Sequence, residues 1–332
     1  MSHLRATDAE TPLSGDVLLS ADVLKWFAEA VLRKAGVADE IAAAVAWSLV
    51  EADLRGHSSH GVMRLPVIVR RIRAGAYNLE TLPSVVSETP TTGVIDAANG
   101  FGQVALQMAV DLAIQKAQGA NVAVAVVRRS QNFGSLGPYA ERIAERGLIG
   151  FVCTNGAPAM TPPGGRGRVL GTNPLAISIP YKEAITLDMA TSVVARDKIT
   201  LARKSGRPIP EGWALDADGN PTTDPAEALE GSLLPVGGHK GFGLALAIEV
   251  LAACLSDSSI GTEVGWLYET TRPQGVGHLV AALRPDAFIP AVRFAQNVER
   301  LASMVKQATR PEPGATVYLP GEPEHRTRRQ RL

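Results

Sequence analysis

The sequence shows no excess of charge of either sign. Lys and Arg together number 33, and Asp and Glu together number 33, in the 332 residues. A net charge near zero exerts no long-range attraction on nucleic acid or on an anionic membrane. The basic tail, residues 326–332, is the exception, and we interpret it as a flexible, solvated end. The charge balance therefore predicts neither a nucleic-acid partner nor a membrane partner.

Cysteine and long apolar runs are also scarce. Cys153 and Cys254 each lie in an apolar run without a CxxC partner, so we expect buried free thiols in a reducing compartment and no zinc site. The most apolar stretch, residues 244–255, contains Glu249 and is too short to span a bilayer. The first residues carry no apolar segment of a secretory signal. These absences predict a cytoplasmic protein.

Two common nucleotide-binding motifs are missing. The chain contains no G-x-G-x-x-G sequence and no GxxxxGK[ST] sequence. An ordinary Rossmann domain and a P-loop are therefore not expected. If a dinucleotide binds this chain, it binds to a different fold.

The pattern of apolar residues divides the chain into parts. Residues 18–78 and much of 240–325 show helical periodicity, although residues 279–283 could form one strand. Between them, short β-branched runs alternate with helical segments, which is typical of an α/β sheet. We predict a cofactor-binding α/β domain over residues 79–239, inserted into a mainly helical domain that residues 18–78 and about 240–325 build. Residues 1–17, like the basic tail, are predicted to be flexible.

The densest cluster of reactive side chains follows an Ala-rich helix and includes His57, Ser59, His60 and Arg64. Histidine changes its charge near neutral pH, and the arginine fork fits a carboxylate. A functional interpretation makes His60 a proton donor, Ser59 its partner and Arg64 a carboxylate clamp. A structural interpretation makes the same stretch a turn between helices. A metal site at His57 and His60 is not expected, because no third ligand stands at a recognisable spacing.

Three further stretches could bind an anionic group. Residues 237–243 are glycine-rich and precede a helix, as do residues 130–137 after a predicted strand, and helix N-termini attract phosphate. Asp188 ends a predicted strand and could accept a hydrogen bond from a ribose. Each stretch also has a purely structural interpretation, as a glycine-rich loop, as a strand–turn–helix junction and as a helix cap.

Five motifs follow one another along the chain: Arg55-Gly56-His57-Ser58-Ser59-His60-Gly61-Val62 with Arg64, Gly100-Phe101-Gly102-Gln103, Gly171-Thr172-Asn173-Pro174-Leu175-Ala176, Asp188-Met189-Ala190-Thr191 and Gly238-His239-Lys240-Gly241-Phe242-Gly243. In this order, the motifs resemble the type-2 malate/L-lactate dehydrogenase family, and the resemblance covers about residues 20–322. That family includes sulfolactate and ureidoglycolate dehydrogenases, diketogulonate reductase and the piperideine-2-carboxylate and pyrroline-2-carboxylate reductases.

The resemblance implies a non-Rossmann α/β fold with a mixed sheet, a homodimer, and NAD or NADP as cofactor. It assigns proton donation to His60, the relay to Ser59, and substrate binding to Arg64 and Thr172. The residues expected to hold the cofactor are Asn132, Phe133, Gly134, Ser135, Leu136, Asp188, Met189, Ala190, His239, Lys240, Gly241, Gly321 and Glu322.

The chain departs from the family pattern at two places. Asn132 stands where many members carry a histidine, so His60 is expected to carry the proton alone. The reductase branch has an acidic relay residue where this chain has Lys198. Either Asp197 replaces that relay, or the relay is absent. We assign Asp197 to the catalytic set and Arg196 to substrate binding.

The sequence thus predicts hydride transfer between nicotinamide and C2 of a small 2-hydroxy or 2-oxo acid. Two alternatives stay open. One is a reductase of cyclic ketimine acids, and the other is a family member that binds ligand without turnover.

Overall fold

The computed structural model describes residues 19–308 and 315–332. The segment 1–17, predicted to be flexible, lies outside the described residues. Within them, no helix is both long and apolar enough to cross a membrane.

Three helices form the N-terminal part: α1 (Ala21–Lys34), α2 (Asp39–Leu54) and α3 (Leu65–Arg73). The Ser20 side chain accepts a hydrogen bond from Val23 N and caps α1, as expected for a serine at this position. The apolar faces of the three helices meet in a common core, which includes Leu32, Val45 and Ile68.

A mixed seven-stranded sheet forms the centre of the molecule. In chain order its strands are β1 (Ser84–Glu88), β2 (Thr92–Asp96), β3 (Val122–Ser130), β4 (Ile149–Thr154), β5 (Leu175–Ile179), β6 (Ile185–Met189) and β10 (Val276–Leu283). Their spatial order is β1-β2-β3-β10-β4-β5-β6. Only β2 and β3 run parallel, and the other neighbours are antiparallel. The predicted α/β class with a mixed, non-Rossmann sheet is confirmed, since a Rossmann sheet is mostly parallel.

Helices cover both faces of this sheet. On one face, α4 (Gly102–Ala120) and α5 (Gly137–Ala144) pack in a core with Val127, Val152 and Val280. On the other face, α8 (His239–Glu249) and the π-helical turn Val250–Cys254 pack in a second core. Two-sided coverage explains why the central strands are apolar throughout.

The remaining elements flank the sheet. They are α6 (Arg196–Lys204), β7 (Ala214–Leu215), β8 (Pro221–Thr222), α7 (Pro225–Glu230), β9 (Ser232–Leu233), α9 (Ala291–Lys306) and α10 (Glu322–Arg331). The three short strands form a small sheet with the order β8-β7-β9.

Three expectations differ from the structure. The strand suggested at residues 279–283 is present as β10, but it lies in the middle of the sheet and not in the helical part, because its short apolar run pairs with β3 and β4. Cys153 is a buried free thiol as expected, but Cys254 is exposed. Residues 326–331, predicted to be flexible, belong to α10.

An ion-pair network explains the ordered C-terminal helix. Arg55 lies at its centre, donating to both oxygens of Glu141 at 2.8 and 2.6 Å and to Glu51 at 3.0 Å. Arg328 of α10 donates to the same Glu51 at 2.6 Å, and His325 lies 3.5 Å from Glu141. Because both carboxylates are buried, they hold α10 against α2 and α5 by interactions that solvent screens weakly.

We predict that Arg55→Ala destabilises the protein by about 3 to 5 kcal/mol, because it leaves the buried Glu141 carboxylate without its main partner. Urea unfolding measures this change. Arg33→Ala is the matched control, since Arg33 also bridges two acids but on the exposed surface. Equal unfolding midpoints for the two variants would contradict the stabilising role of the network.

Candidate active site

The predicted reactive cluster lies in two consecutive 3₁₀ turns between α2 and α3, Ser58–His60 and Val62–Arg64. The carboxylate of Asp53, in the last turn of α2, accepts a hydrogen bond from Val62 N at 2.9 Å. A Cβ atom at Gly61 would overlap this carboxylate. Only glycine therefore lets the chain pass close enough to Asp53 for the turns to close.

Of the two ring nitrogens of His60, one lies at hydrogen-bond distance from a protein group. Its Nδ1 lies 3.0 Å from Ser59 Oγ. The Nε2 atom has no hydrogen-bond partner within the described ranges. Burial, together with the positive charge of Arg64 and the nearby His57, lowers the pKa of His60 well below its usual range. The imidazole is therefore neutral at pH 7 in the free protein.

Arg64 is buried, and the protein accepts hydrogen bonds from only some of its N–H groups. Its Nε donates to Ser59 O at 2.6 Å, and its Nη1 donates to Asn132 Oδ1 at 2.7 Å. Its Nη2 lies 3.7 Å from Asp197 Oδ2, and burial lowers its pKa. Donors on Nη1 and Nη2 remain for a ligand, and a carboxylate is the group that a guanidinium fork binds best.

The structure therefore brings together five residues that the sequence assigned to chemistry: Ser59, His60, Arg64, Asn132 and Asp197. Asn132 was expected to contact cofactor, but in this structure its side-chain oxygen is bound to Arg64. Of its predicted cofactor-binding neighbours, Phe133 and Leu136 have buried side chains in the core, so only their backbone could contact a ligand. The Ser135 side chain is also buried.

A loop that the sequence analysis did not single out runs beside this cluster, over residues 264–274. It is held by Arg71, which donates to the backbone oxygens of Trp266 at 3.2 Å and of Arg272 at 3.1 Å, and also to that of Glu269. Gln274, at the end of the loop, accepts from Asn132 N at 3.0 Å. No sequence pattern indicates this role, since Arg71 is one of several basic residues in α3.

A cleft of about 340 Å³ lies near the cluster, and His57 lines it. Its other lining residues include Gly137, Asp188 and Gly321. The Asp188 carboxylate accepts from Gly137 N at 2.7 Å, and burial raises its pKa. Asp188 thus caps α5, whereas the sequence placed any capping role before Ala190.

The residues of this cleft fit a nucleotide. The backbone approaches the cleft closely at two walls, since a Cβ at Gly137 would lie 3.0 Å from Asp188 Oδ2 and one at Gly321, whose φ is +89°, would lie 3.2 Å from Thr186. The second oxygen of Asp188 can accept from a ribose hydroxyl, and Pro138 provides an apolar surface. Glu322, by contrast, is bound by Leu319 N at 2.8 Å and by Lys306, so its carboxylate is already used by the chain.

Backbone hydrogen bonds connect the other predicted motifs in series. Thr191 N donates to Thr172 O at 2.9 Å, and Val236 N donates to Thr191 O at 2.9 Å. Gly241 packs so tightly on Val236 that a Cβ would overlap its backbone. This series brings Thr172, the end of β6 with Met189 and Ala190, and the start of α8 with His239 and Lys240 into one region. His239 and Lys240 are exposed and do not line the cleft.

Arg196 contacts α7 and the 264–274 loop. It donates to Leu229 O at 2.6 Å, and its guanidinium lies 5.1 Å from the centre of the Trp266 ring. Its Nη1 is buried without a hydrogen-bond partner among the described residues. Lys198 is exposed. Substrate binding by Arg196 stays a prediction.

His57 does not form a metal site with the residues described. It lies 3.8 Å from Glu324 across the cleft, and the described ranges contain no group of three or more potential metal ligands.

Comparison with known proteins shows which family the chain belongs to. The family model for malate/L-lactate dehydrogenase matches residues 19–332. The L-sulfolactate dehydrogenase of Methanocaldococcus jannaschii is 42% identical, with 91% of this chain and 87% of that protein covered. A solved structure of a sulfolactate dehydrogenase from the same organism superposes with a TM-score of 0.89 at 40% identity, covering 95% of this chain and 91% of that one.

Another relative has a different chemistry in its name. A Delta(1)-pyrroline-2-carboxylate/Delta(1)-piperideine-2-carboxylate reductase of Pseudomonas putida is 35% identical and covers 92% of this chain and 89% of its own length.

Proposed function

Because the chain belongs to the malate/L-lactate dehydrogenase family, we propose that it is an oxidoreductase that transfers hydride between NAD or NADP and C2 of a small 2-hydroxy or 2-oxo acid. The observation that carries this proposal is the meeting of His60, its partner Ser59 and a partly unsatisfied Arg64 in one cluster. Such a reaction needs one side chain that transfers the proton of the C2 oxygen and another that binds the substrate carboxylate.

Arg64 binds the substrate carboxylate in this proposal. Its Nε is fixed by Ser59 O and one Nη1 hydrogen by Asn132, so the guanidinium cannot rotate. The remaining donors then define where the carboxylate sits, and hence where C2 sits relative to His60. Asp197, 3.7 Å from Nη2, limits the side from which the carboxylate can approach.

His60 moves the proton of the C2 oxygen. Ser59 holds Nδ1, which leaves Nε2 to accept a proton when a 2-hydroxy acid is oxidised and to return it when a 2-oxo acid is reduced. The nicotinamide ring, when bound, supplies or accepts the hydride. The cleft beside Asp188 and Gly321 would hold the nucleotide, with the Asp188 carboxylate accepting from a ribose hydroxyl.

Reduction of a cyclic ketimine acid is the second candidate function. The relative from Pseudomonas putida whose name specifies such reductions favours it. Arg64 would bind the carboxylate and His60 would transfer the proton in both reactions, since each substrate presents an sp2 C2 beside a carboxylate.

We also propose that the protein acts as a homodimer, with the outer face of α9 in the interface. Leu301, Met304 and Val305 lie at i, i+3 and i+4 on this helix and are exposed, Leu301 to 63%. In the described part of the chain only Ala302 of α9 is buried. An amphipathic helix whose apolar side is exposed is typical of a surface that a second copy covers.

We predict that purified protein oxidises NADH or NADPH in the presence of oxaloacetate, sulfopyruvate or pyruvate faster than with piperideine-2-carboxylate. Absorbance at the reduced-nicotinamide band measures the rates for each acid and cofactor pair. A preference for the ketimine would select the second function. NADH or NADPH could instead bind, as seen by fluorescence quenching, without being oxidised by any of these acids. That result would indicate a protein that binds ligand without turnover and would contradict the proposal.

We predict opposite pH dependences for the two directions, set by the lowered pKa of His60. Oxidation needs neutral His60, so its kcat/KM stays level from pH 8 downward and declines only as pH falls through the lowered pKa. Reduction needs protonated His60, so its kcat/KM rises as pH falls toward that pKa. His60→Ala should reduce kcat by about two to four orders of magnitude and remove these pH dependences. Unchanged pH profiles in the variant would assign the proton to another group.

We predict that light scattering gives about twice the mass of one chain, and that Leu301→Glu shifts the protein toward monomer, because a charge is costly in a buried apolar interface. Leu201→Glu on α6 is the matched control, since Leu201 is exposed to 64% but lies outside the proposed interface. A dimer that survives Leu301→Glu as well as it survives the control change would exclude the α9 interface.

A further inference from the structure

We propose that Asn132 binds the substrate acid directly, by donating a hydrogen bond from its side-chain amide to the carboxylate that Arg64 clamps. This inference rests on the proposed function, since it assigns Asn132 to the substrate rather than to the cofactor.

The orientation of the amide follows from its two neighbours. Asn132 Oδ1 accepts from Arg64 Nη1 at 2.7 Å and from Gly134 N at 3.2 Å. The oxygen and nitrogen of an Asn amide are usually hard to tell apart, and only the hydrogen-bond network distinguishes them. Both neighbours here can only donate, because neither a guanidinium nor a backbone N–H has an acceptor. The oxygen must therefore face them, and the NH2 group points away.

The amide nitrogen is available to a ligand. It has no hydrogen-bond partner among residues 19–308 and 315–332, and it is absent from the buried polar atoms that lack a partner. It is therefore not enclosed by the protein. Asn132 as a whole is only partly buried. An accessible pair of N–H donors beside an arginine fork adds to the donors that a carboxylate can use, since a carboxylate offers about four acceptor sites.

The backbone of Asn132 is held from both sides. Its own N donates to Gln274 Oε1 at 3.0 Å. The preceding Gln131 donates through its side chain to Ala76 O and Asn99 O, both at 2.7 Å, and accepts from Arg71 at 2.7 Å. A donor fixed in this way binds its ligand with little loss of conformational freedom.

Arg64 and Asn132 together form a larger acid-binding unit than the arginine alone. The bond between Arg64 Nη1 and Asn132 Oδ1 keeps the two groups side by side, so one carboxylate can meet donors from both. Asn132 is uncharged at every pH, so it binds the acid without competing with His60 for the proton. The affinity for the acid therefore depends on the Asn132 side chain, whereas the affinity for the cofactor does not.

Asn132→Asp removes the amide donor while it keeps an acceptor for Arg64. An aspartate has nearly the same shape and can still accept from Arg64 and from Gly134 N, so Arg64 stays oriented. It cannot donate, and its charge repels a carboxylate. The wild-type protein and the variant, each saturated with NAD+ or NADP+, are titrated with oxaloacetate by calorimetry. Oxidised cofactor and a 2-oxo acid cannot react, so the titration measures binding without turnover.

We expect Asn132→Asp to raise the Kd of oxaloacetate on the order of 100-fold or more, since a lost charge-assisted bond and a like-charge contact add together. Asn132→Ser, which removes the amide without adding charge, should raise it about 10-fold. The Kd of NADH or NADPH, from fluorescence quenching, should change less than about twofold in both variants. Gln118→Glu, an exposed amide-to-carboxylate change on α4, controls for net charge and should leave both constants unchanged.

Three results would overturn the proposal. A Kd for oxaloacetate within threefold of wild type in Asn132→Asp would show that the side chain only orients Arg64. An equal rise in the Kd of the reduced cofactor would show that the amide serves the nucleotide. Wild-type protein that binds no acid would contradict this proposal and the proposed function together.

The proposed function can fail separately. If wild-type protein binds oxaloacetate but turns over none of the acids, the dehydrogenase assignment is wrong, while the Kd values of the variants still decide the role of Asn132. Thermal unfolding of each variant shows whether it is folded, and Asn132→Ser decides the question if Asn132→Asp is not.

Discussion

The hydrogen bonding of one buried cation, Arg71, determines how the parts of the site fit together. Its side chain is fully buried, and a buried charge is tolerated only if its hydrogen bonds are made. The protein supplies partners for Nη1 and Nη2 from two places: Gln131 at the end of β3, and the backbone oxygens of the 264–274 loop. Nε has no hydrogen-bond partner among the described residues. Because Arg71 lies in α3, two helical turns from Arg64, the bonds of Nη1 and Nη2 align three distant segments around the cluster.

The hydrogen bonds of a buried anion likewise hold three segments together in the other half of the molecule. Glu249, in the last turn of α8, accepts from Asn155 at 3.1 Å, from Asn173 at 2.6 Å and from Gly261 N at 2.8 Å. Those donors come from the end of β4, from the turn before β5 and from the loop after the π-helical turn. The Thr172–Asn173 motif is therefore structural in part. Asn173 attaches α8 to the sheet, and Thr172 is left at the edge of the region where the motifs meet.

The sequence predicted the parts of this molecule that local patterns determine. The α/β class follows from apolar periodicity, and the Ser59, His60 and Arg64 cluster from the density of reactive side chains in one short stretch. What it could not predict depends on partners far along the chain. The order of α10 needs Glu51 and Glu141, and the position of Asn132 needs Gln274. The contacts of Arg196 with Leu229 and Trp266 likewise depend on residues more than 30 positions away.

The central position of β10 has a consequence for the order of folding. Residues 276–283 lie between β3 and β4, so during synthesis those two strands are made long before the strand that joins them. Until it emerges, each presents an unpaired edge, the kind of surface that promotes association between chains. Closing the sheet then requires contacts between residues about 125 to 160 positions apart, which slows folding. A chain halted before residue 276 would thus contain most of the active-site residues but only two separate half-sheets to carry them.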